Sequence, residues 1–210
     1  MDLIFFGMQG SGKGTLGKAV AEKYNLQIFE TGAELRKLAQ EKSELGKKIK
    51  SIIEAGKLVS NEVVMEIVEN FMNSLESGKA VLFDGIPRKV EQAKTLNALL
   101  DKHDRDYKAV LLEISEETAL KRLTTRRVCK DCKAVYPVSY KENECKCGGE
   151  LITRQDDNPE AIKTRLQAFK EETIPTIEIY QGKLIKIDGE PPIEEVRELA
   201  YNSLDPIMNN

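Results

Sequence analysis

Residues 7–15 read Gly-Met-Gln-Gly-Ser-Gly-Lys-Gly-Thr and follow directly on the apolar run Leu3-Ile4-Phe5-Phe6. A strand, a glycine loop and a lysine in that order form a grip for the phosphates of a nucleotide. Glycines let backbone N–H groups turn inward and approach phosphate oxygens, and the helix that follows aims its positive end at the same place. Lys13 adds a mobile point charge. The common form of this loop, Gly-x4-Gly-Lys-Ser/Thr, wants a hydroxyl straight after the lysine. Here Gly14 stands in that place and Thr15 comes one residue later. A second cluster holds all four cysteines, as Cys129-x2-Cys132 and Cys145-x-Cys147. Four thiols this close, in a chain expected to be cytoplasmic, read as ligands of a structural metal rather than as disulfides. Zinc fits best, because it prefers tetrahedral sulfur ligation. Cys-x-Cys gives less room than Cys-x-x-Cys to aim both sulfurs at one ion, and Gly148-Gly149 offers a turn that would relieve this. Four cysteines leave no open coordination position, so the metal would not catalyse. Unliganded thiols and a redox pair are the alternatives.

These groups need a scaffold, and 210 residues suffice for one α/β domain with insertions. Short apolar or β-branched runs predict strands over 3–6, 27–30, 80–84, 109–114 and 184–187. Helical stretches separate them, over 16–24, 32–41, 44–55, 61–74, 90–101, 116–126, 159–181 and 193–204, with Pro175 kinking or splitting the seventh. That alternation predicts a parallel sheet. Val63, Val64, Ile67, Val68 and Phe71 share one helix face and read as core. Two segments stand outside the sheet: a polar helical insert at 31–59, and residues 127–158, rich in Cys, Gly, Lys and Asp. A net charge of −3 argues against a general nucleic-acid or membrane-surface role. Arg126, Arg127, Lys130 and Lys133 do interleave with Tyr136 and Tyr140, but a phosphate-binding chain has a better use for arginines. No apolar run reaches transmembrane length, and Met1 runs almost directly into the first strand without a signal pattern. A cytoplasmic monomer is expected. His103, Arg105 and Arg127 are expected at the surface, so histidine is not expected to serve as a base.

The ordered motifs resemble the adenylate kinase family, in its long-lid form with a metal-stabilised lid. The resemblance covers nearly the whole chain. It rests on Gly7-x2-Gly10-x-Gly12-Lys13-Gly14-Thr15, Thr31-Gly32-x2-Leu35-Arg36, Gly56-Lys57-Leu58-Val59 and Asp84-Gly85-Ile86-Pro87-Arg88 with Gln92-Ala93. Arg122-x3-Arg126, Arg154-x-Asp156-Asp157-Asn158, Arg165 and Ile187-Asp188-Gly189 complete it. It implies a P-loop kinase of the α/β class, with a parallel five-stranded sheet flanked by helices. The core would comprise 1–29, 60–125 and 162–210, the NMP-binding helical insert 30–59, and the metal-bound lid 126–161.

The activity implied is ATP + AMP ⇌ 2 ADP with Mg²⁺, with ATP, AMP and ADP as the partners and structural Zn²⁺ in the lid. Such transfer rests on positioning and charge stabilisation, so the site should be rich in arginine. By the resemblance, Lys13 and the backbone of Gly10, Ser11, Gly12, Gly14 and Thr15 hold the ATP phosphates. Arg36 and Arg88 grip the AMP phosphate, while Arg122, Arg126, Arg154 and Arg165 surround the transferred group. Asp84 orients waters on Mg²⁺, near Thr15. The acceptor adenine is selected by Thr31, Lys57, Leu58, Val59, Gly85, Ile86, Pro87 and Gln92. The donor base lies by Arg126, against Val135, Tyr136 and the backbone of 189–191, Pro191 included. Asp156 and Asp157 either latch the lid through its arginines or serve the metal directly. The chain departs from the family where Ala33 replaces a frequent Asp, Ile86 a frequent Phe and Pro137 a frequent His. These bear on fine nucleotide preference and lid packing. A kinase for UMP or CMP, a GTP donor, and a non-catalytic module that binds ATP and metal remain the alternative readings.

Overall fold

The structure, a computed structural model, describes residues 1–209. Its elements are β1 (Asp2–Gly7), α1 (Lys13–Lys23), β2 (Gln27–Glu30), α2 (Thr31–Leu38), α3 (Glu44–Glu54), α4 (Asn61–Asn73), β3 (Val81–Asp84), α5 (Val90–Lys102), β4 (Tyr107–Glu113) and α6 (Glu116–Thr125). The short strands β5 (Arg127–Cys129), β6 (Val135–Tyr136) and β7 (Leu151–Ile152) follow. Then come α7 (Pro159–Ala168), α8 (Ile174–Glu178), β8 (Leu184–Asp188) and α9 (Ile193–Met208). Five strands form one parallel sheet in the order β2-β3-β1-β4-β8. The expected α/β architecture and all five expected strands are present.

The central strands β1, β3 and β4 carry nearly unbroken apolar runs because both of their faces are covered, while the edge strands β2 and β8 mix in polar residues. Successive side chains alternate between faces. Thus Ile4 and Phe6 of β1 join Val64, Val68, Leu96 and Leu100 from α4 and α5. Leu3 and Phe5 join Leu16 and Val20 of α1 and Ala200 and Leu204 of α9 on the other face. Each such fully buried aliphatic or aromatic side chain contributes about 1.5–3 kcal/mol. Helix starts are capped by short polar side chains: Ser43 Oγ accepts from Gly46 N (3.0 Å), Ser115 Oγ from Thr118 N (3.1 Å) and Asn158 Oδ1 from Ala161 N (2.9 Å).

The structure corrects several expectations. The first helix begins at Lys13, not at residue 16, because Gly12 takes a left-handed conformation (φ 96°) that ends the loop and starts the helix. The split expected from Pro175 in the helix over 159–181 is present, with α7 and α8 joined through a wider π turn at Phe169–Thr173. Pro175 has no N–H for the carbonyl four residues earlier and crowds it, so the turn ahead of it opens. Helix α9 runs past residue 204, where Asp205 pairs with Lys23 (2.7 Å) and accepts from Tyr24 Oη (2.8 Å). Arg127 is not a free surface charge, since its guanidinium donates to the Tyr140 carbonyl. Among the described residues no helix is long and apolar enough to cross a membrane.

Arg105 is also more than a surface charge. It makes a two-pronged ion pair with Asp2 (2.6 and 2.7 Å) and donates to Lys79 O (2.7 Å). Asp2 Oδ1 also accepts from Val81 N (2.8 Å), which ties the starts of β1 and β3 to the turn before β4. The Asp2 side chain is 2% exposed and that of Arg105 17%. Asp2→Ala would take the carboxylate from a half-buried guanidinium, which keeps only Lys79 O, and strand the buried Val81 N–H, at about 3 kcal/mol. Urea unfolding is expected to show that loss in its midpoint; a stability within about 0.5 kcal/mol of wild type would refute the role.

Candidate active site

The C-terminal ends of the parallel strands converge on one edge, where open α/β sheets bind ligands. There β1 passes into the loop of residues 8–12. Gly10 (φ 87°) must be glycine, because a Cβ would also lie 2.9 Å from the Ala119 carbonyl oxygen. The first-turn N–H groups of α1, Lys13 and Gly14 among them, have no acceptor within the helix. Ser11 Oγ is buried with no partner beside them. Lys13 folds back onto the Gly7 and Met8 carbonyls (2.5 and 3.2 Å). Burial lowers its pKa to about 8; Asp84 opposes the shift, and Arg88, Arg165 and Arg126 reinforce it. Burial pushes the Asp84 carboxyl up, against the pull of Lys13. Asp84 Oδ2 lies 3.7 Å from the position of a Cβ on Gly14, so this carboxylate borders the loop near Thr15. A buried carboxylate there suits a cation carried on phosphates.

Opposite the loop, the segment after β3 carries Gly85, Ile86, Pro87 and Arg88. Arg88 Nε donates to Gly85 O (2.9 Å), and Gly85 (φ 83°) leaves room for the guanidinium, since a Cβ there would lie 2.9 Å from its NH2 nitrogen. Burial lowers the Arg88 pKa. A small cavity of about 30 Å³ lies between the halves, lined by Lys13 and Gln9 on one side and Gly85, Pro87 and Arg88 on the other. Gln92 is buried at the start of α5 and its Oε1 accepts from Arg88 N (2.8 Å). Thr31 Oγ1 is buried without a partner. Ile86 belongs to the core, as does Val59, which follows exposed Lys57 and half-buried Leu58. Arg36 on α2 pairs with Glu30 (2.8 Å), which lies opposite Asp84 in the β2–β3 register.

The remaining arginines interlock with two aspartates. Arg126 meets Asp157 with two hydrogen bonds (2.6 and 2.7 Å), and Arg154 meets Asp156 in the same way (2.8 and 2.6 Å). Arg165 reaches Asp157 Oδ1 (3.0 Å) and Asp156 O (2.8 Å). Burial would raise the Asp156 carboxyl, but Arg154, Arg165 and Arg126 hold it below the usual range. Burial lowers Arg165 to about 10. The two aspartates therefore gather cations that would otherwise repel one another. Arg122 bridges Ser11 O (3.5 Å) and Glu190 O (3.1 Å), which joins the glycine loop to the segment after β8 that holds Gly189 and half-buried Pro191.

The four cysteines meet on a small antiparallel sheet, β6-β5-β7. Their sulfurs lie within 4.8 Å of one another. Tetrahedral ligation at 2.3 Å sets sulfurs about 3.8 Å apart. Cys129–Cys147, Cys132–Cys145 and Cys145–Cys147 stand at 3.6, 3.4 and 3.3 Å, close to that spacing. A Cβ on Gly149 would lie 2.6 Å from Cys129 Sγ, so glycine is needed beneath the cluster. Gly148 (φ 84°) makes the turn required by Cys-x-Cys. Hydrogen bonds from Cys147 N and the Tyr136 hydroxyl lower Cys145 to about 6. The donor set and its geometry fit a metal ion. Tyr136 turns inward, its hydroxyl 3.1 Å from Cys145 Sγ and its ring 4.3 Å from that of Tyr140, while Val135 stays exposed.

A family model described as adenylate kinase matches residues 5–185. An adenylate kinase of Fervidobacterium nodosum is 39% identical over 212 residues, which covers 97% of this chain and 97% of the relative. One from Archaeoglobus fulgidus is 40% identical over 204 residues, with 93% and 94% covered. One from Staphylococcus aureus is 36% identical over 213 residues, with 98% and 99% covered. The chain belongs to the adenylate kinase family.

Three groups at this adenylate kinase site were missed in the sequence. Gln9 sits inside the loop motif, Glu30 adjoins Thr31-Gly32, and Glu190 follows Gly189; each signal was adjacency to a motif already recognised. Glu190 accepts from Ser115 N (2.6 Å) and Thr118 Oγ1 (2.7 Å), which fixes the segment after β8 on the start of α6. The lowered Lys13 pKa carries a pH prediction. Lys13 is charged below about 8 in the free protein and loses its charge above it, so kcat/KM for ATP is expected to fall above pH 8. At saturating ATP the phosphates favour the ammonium, and the limb in kcat should move to higher pH. A pH–rate series checks this, and a flat kcat/KM through pH 9.5, about 1.5 units above the limb, would refute it.

Proposed function

We propose that the protein catalyses ATP + AMP ⇌ 2 ADP with Mg²⁺ and so balances the adenine nucleotides. The observation that carries this is the cavity with Lys13 on one wall and Arg88 on the other, two anion grips facing across a gap. Lys13 and the backbone of residues 10–15 hold the donor phosphates. Arg36 and Arg88 hold the acceptor phosphate. Arg122, Arg126, Arg154 and Arg165 neutralise the group in transit, which is electrostatic stabilisation rather than covalent chemistry. Asp84, with Thr15 nearby, would hold Mg²⁺ through its waters, and the ion supplies charge neutralisation on the phosphates. The acceptor base lies against Thr31, residues 57–59, Gly85 and Gln92. The donor base lies by Arg126, against Val135 and the segment 189–191.

The core comprises 1–29, 60–125 and 162–210, with 30–59 closing over AMP and 126–161 over ATP. A Cβ on Gly56 would lie 2.5 Å from Ala161 O, so the end of the first insert already touches the start of α7. Closure excludes water that would otherwise hydrolyse ATP. The lid metal is Zn²⁺ held by Cys129, Cys132, Cys145 and Cys147, and it shapes the lid without entering the chemistry. The large apolar side chains left exposed are spread over many elements, which supports a monomer, and the cytoplasm is the compartment that fits reduced thiols. The test is a coupled assay of ADP formation from purified protein with AMP, UMP, CMP and GMP as acceptors and ATP or GTP as donor. ATP with AMP is expected to be fastest. Tight ATP binding without ADP formation would favour a regulatory module, and UMP or CMP outrunning AMP would favour another monophosphate kinase.

A further inference from the structure

The cavity between the two grips has four polar side chains in its wall: Gln9, Lys13, Arg88 and Thr173. Three of them are occupied. Lys13 donates to Gly7 O and Met8 O, Arg88 to Gly85 O, and Thr173 Oγ1 to Arg88 O (3.2 Å). Gln9 Oε1 is buried and has no partner. A buried unpaired carbonyl is unfavourable, so a carboxamide left in this state belongs to a site that something else completes. The surroundings say what that is. The wall carries a lysine and an arginine, the residues that the reading above assigns to the donor and acceptor phosphates.

We propose that Gln9 is a further catalytic residue, whose carboxamide donates an N–H to the phosphoryl group as it passes from the Lys13 side to the Arg88 side. The inference rests on the two-nucleotide reading above. A glutamine amide carries both a donor and an acceptor, and a half-turn about Cγ–Cδ exchanges Oε1 for Nε2. An anion in the cavity favours the N–H inward, and the displaced Oε1 is then free to accept from water or a neighbouring cation. Because the bond forms as charge spreads over the phosphoryl oxygens, it assists the transition state more than the bound substrates. Gln9 is a neutral donor beside the full charges of Lys13 and Arg88, with the Thr173 hydroxyl already engaged, so it adds direction rather than net charge.

The test compares wild type, Gln9→Ala and Gln9→Glu in the assay of ATP with AMP, run in both directions, with thermal unfolding and ATP hydrolysis without AMP measured on the same samples. Gln9→Ala is expected to lower kcat by about 100-fold in both directions, with both KM values within about two-fold and the unfolding temperature unchanged. Gln9→Glu should fall further, because a carboxylate lacks the N–H and repels the phosphoryl oxygens. A kcat for Gln9→Ala within two-fold of wild type overturns the proposal. So does a loss confined to ATP hydrolysis, which would make Gln9 a holder of water, or a loss that follows KM or unfolding. Wild type that forms no ADP overturns the two-nucleotide reading and this inference with it, whereas active wild type with an equally active Gln9→Ala overturns the inference alone.

Discussion

Lys13→Met is expected to lower ADP formation from ATP and AMP by about 1000-fold or more, at every donor concentration. Methionine approximates the length of the lysine stem and keeps its apolar part in place. What disappears is the ammonium that faces Arg88 across the cavity, in a wall where burial has already lowered its pKa to about 8. A desolvated charge acts strongly on an anion, because little water remains to screen it. The variant should fold, since removing a buried charge removes its desolvation cost, and its unfolding temperature should equal or exceed that of wild type. AMP binding by calorimetry should persist, because Arg36 and Arg88 stand on separate elements. Activity within about tenfold of wild type, in protein shown to be folded, would contradict a phosphate-gripping role for the lysine.

Loss of the metal proposed for the four-cysteine cluster is the second large effect, and it should divide stability from turnover. The lid's own core consists of Cys129, Cys145 and Tyr136, with Ala134, Tyr140 and Leu151 packed against it. So small a core does little to hold three short strands together, and an ion bound by the four sulfurs would supply the folding free energy. Chelation, or Cys145→Ser, should lower the temperature of unfolding by roughly 10 °C while turnover at mild temperature falls only a few-fold. The cluster closes its own coordination shell, so it has no position for a nucleotide. Metal content, thermal unfolding and initial rates measured on one sample decide the matter. Equal proportional losses of rate and stability would count against a purely structural ion.

The same contrast between groups that act alone and groups that act together governs what could be read early. The glycine loop was legible because its chemistry is local: residues 7–15 are contiguous, and helix and lysine follow in order. The Cys pairs were legible for the same reason, although only the fold shows Gly149 seated beneath Cys129 Sγ. The central strands showed because a sheet covered on both faces needs continuous apolar runs there. The break ahead of Pro175 was legible in kind but not in place, since a proline signals which bond is missing and not how the turn before it adjusts. Arg105 was misread, for nothing near it in sequence announces Asp2, which pairs with it across 103 residues.

The sequence by itself determined the fold class, the glycine loop, the cysteine cluster and the family, because each is carried by residue type at short spacing. Only the tertiary structure decided how the charges are shared out. It placed Asp156 and Asp157 among Arg126, Arg154 and Arg165, set Glu30 on Arg36, bolted the 189–191 segment down through Glu190, and left Gln9 facing the cavity without a partner. Pairing and burial are properties of distance in space, and a linear pattern holds no record of which distant carboxylate will reach a given arginine.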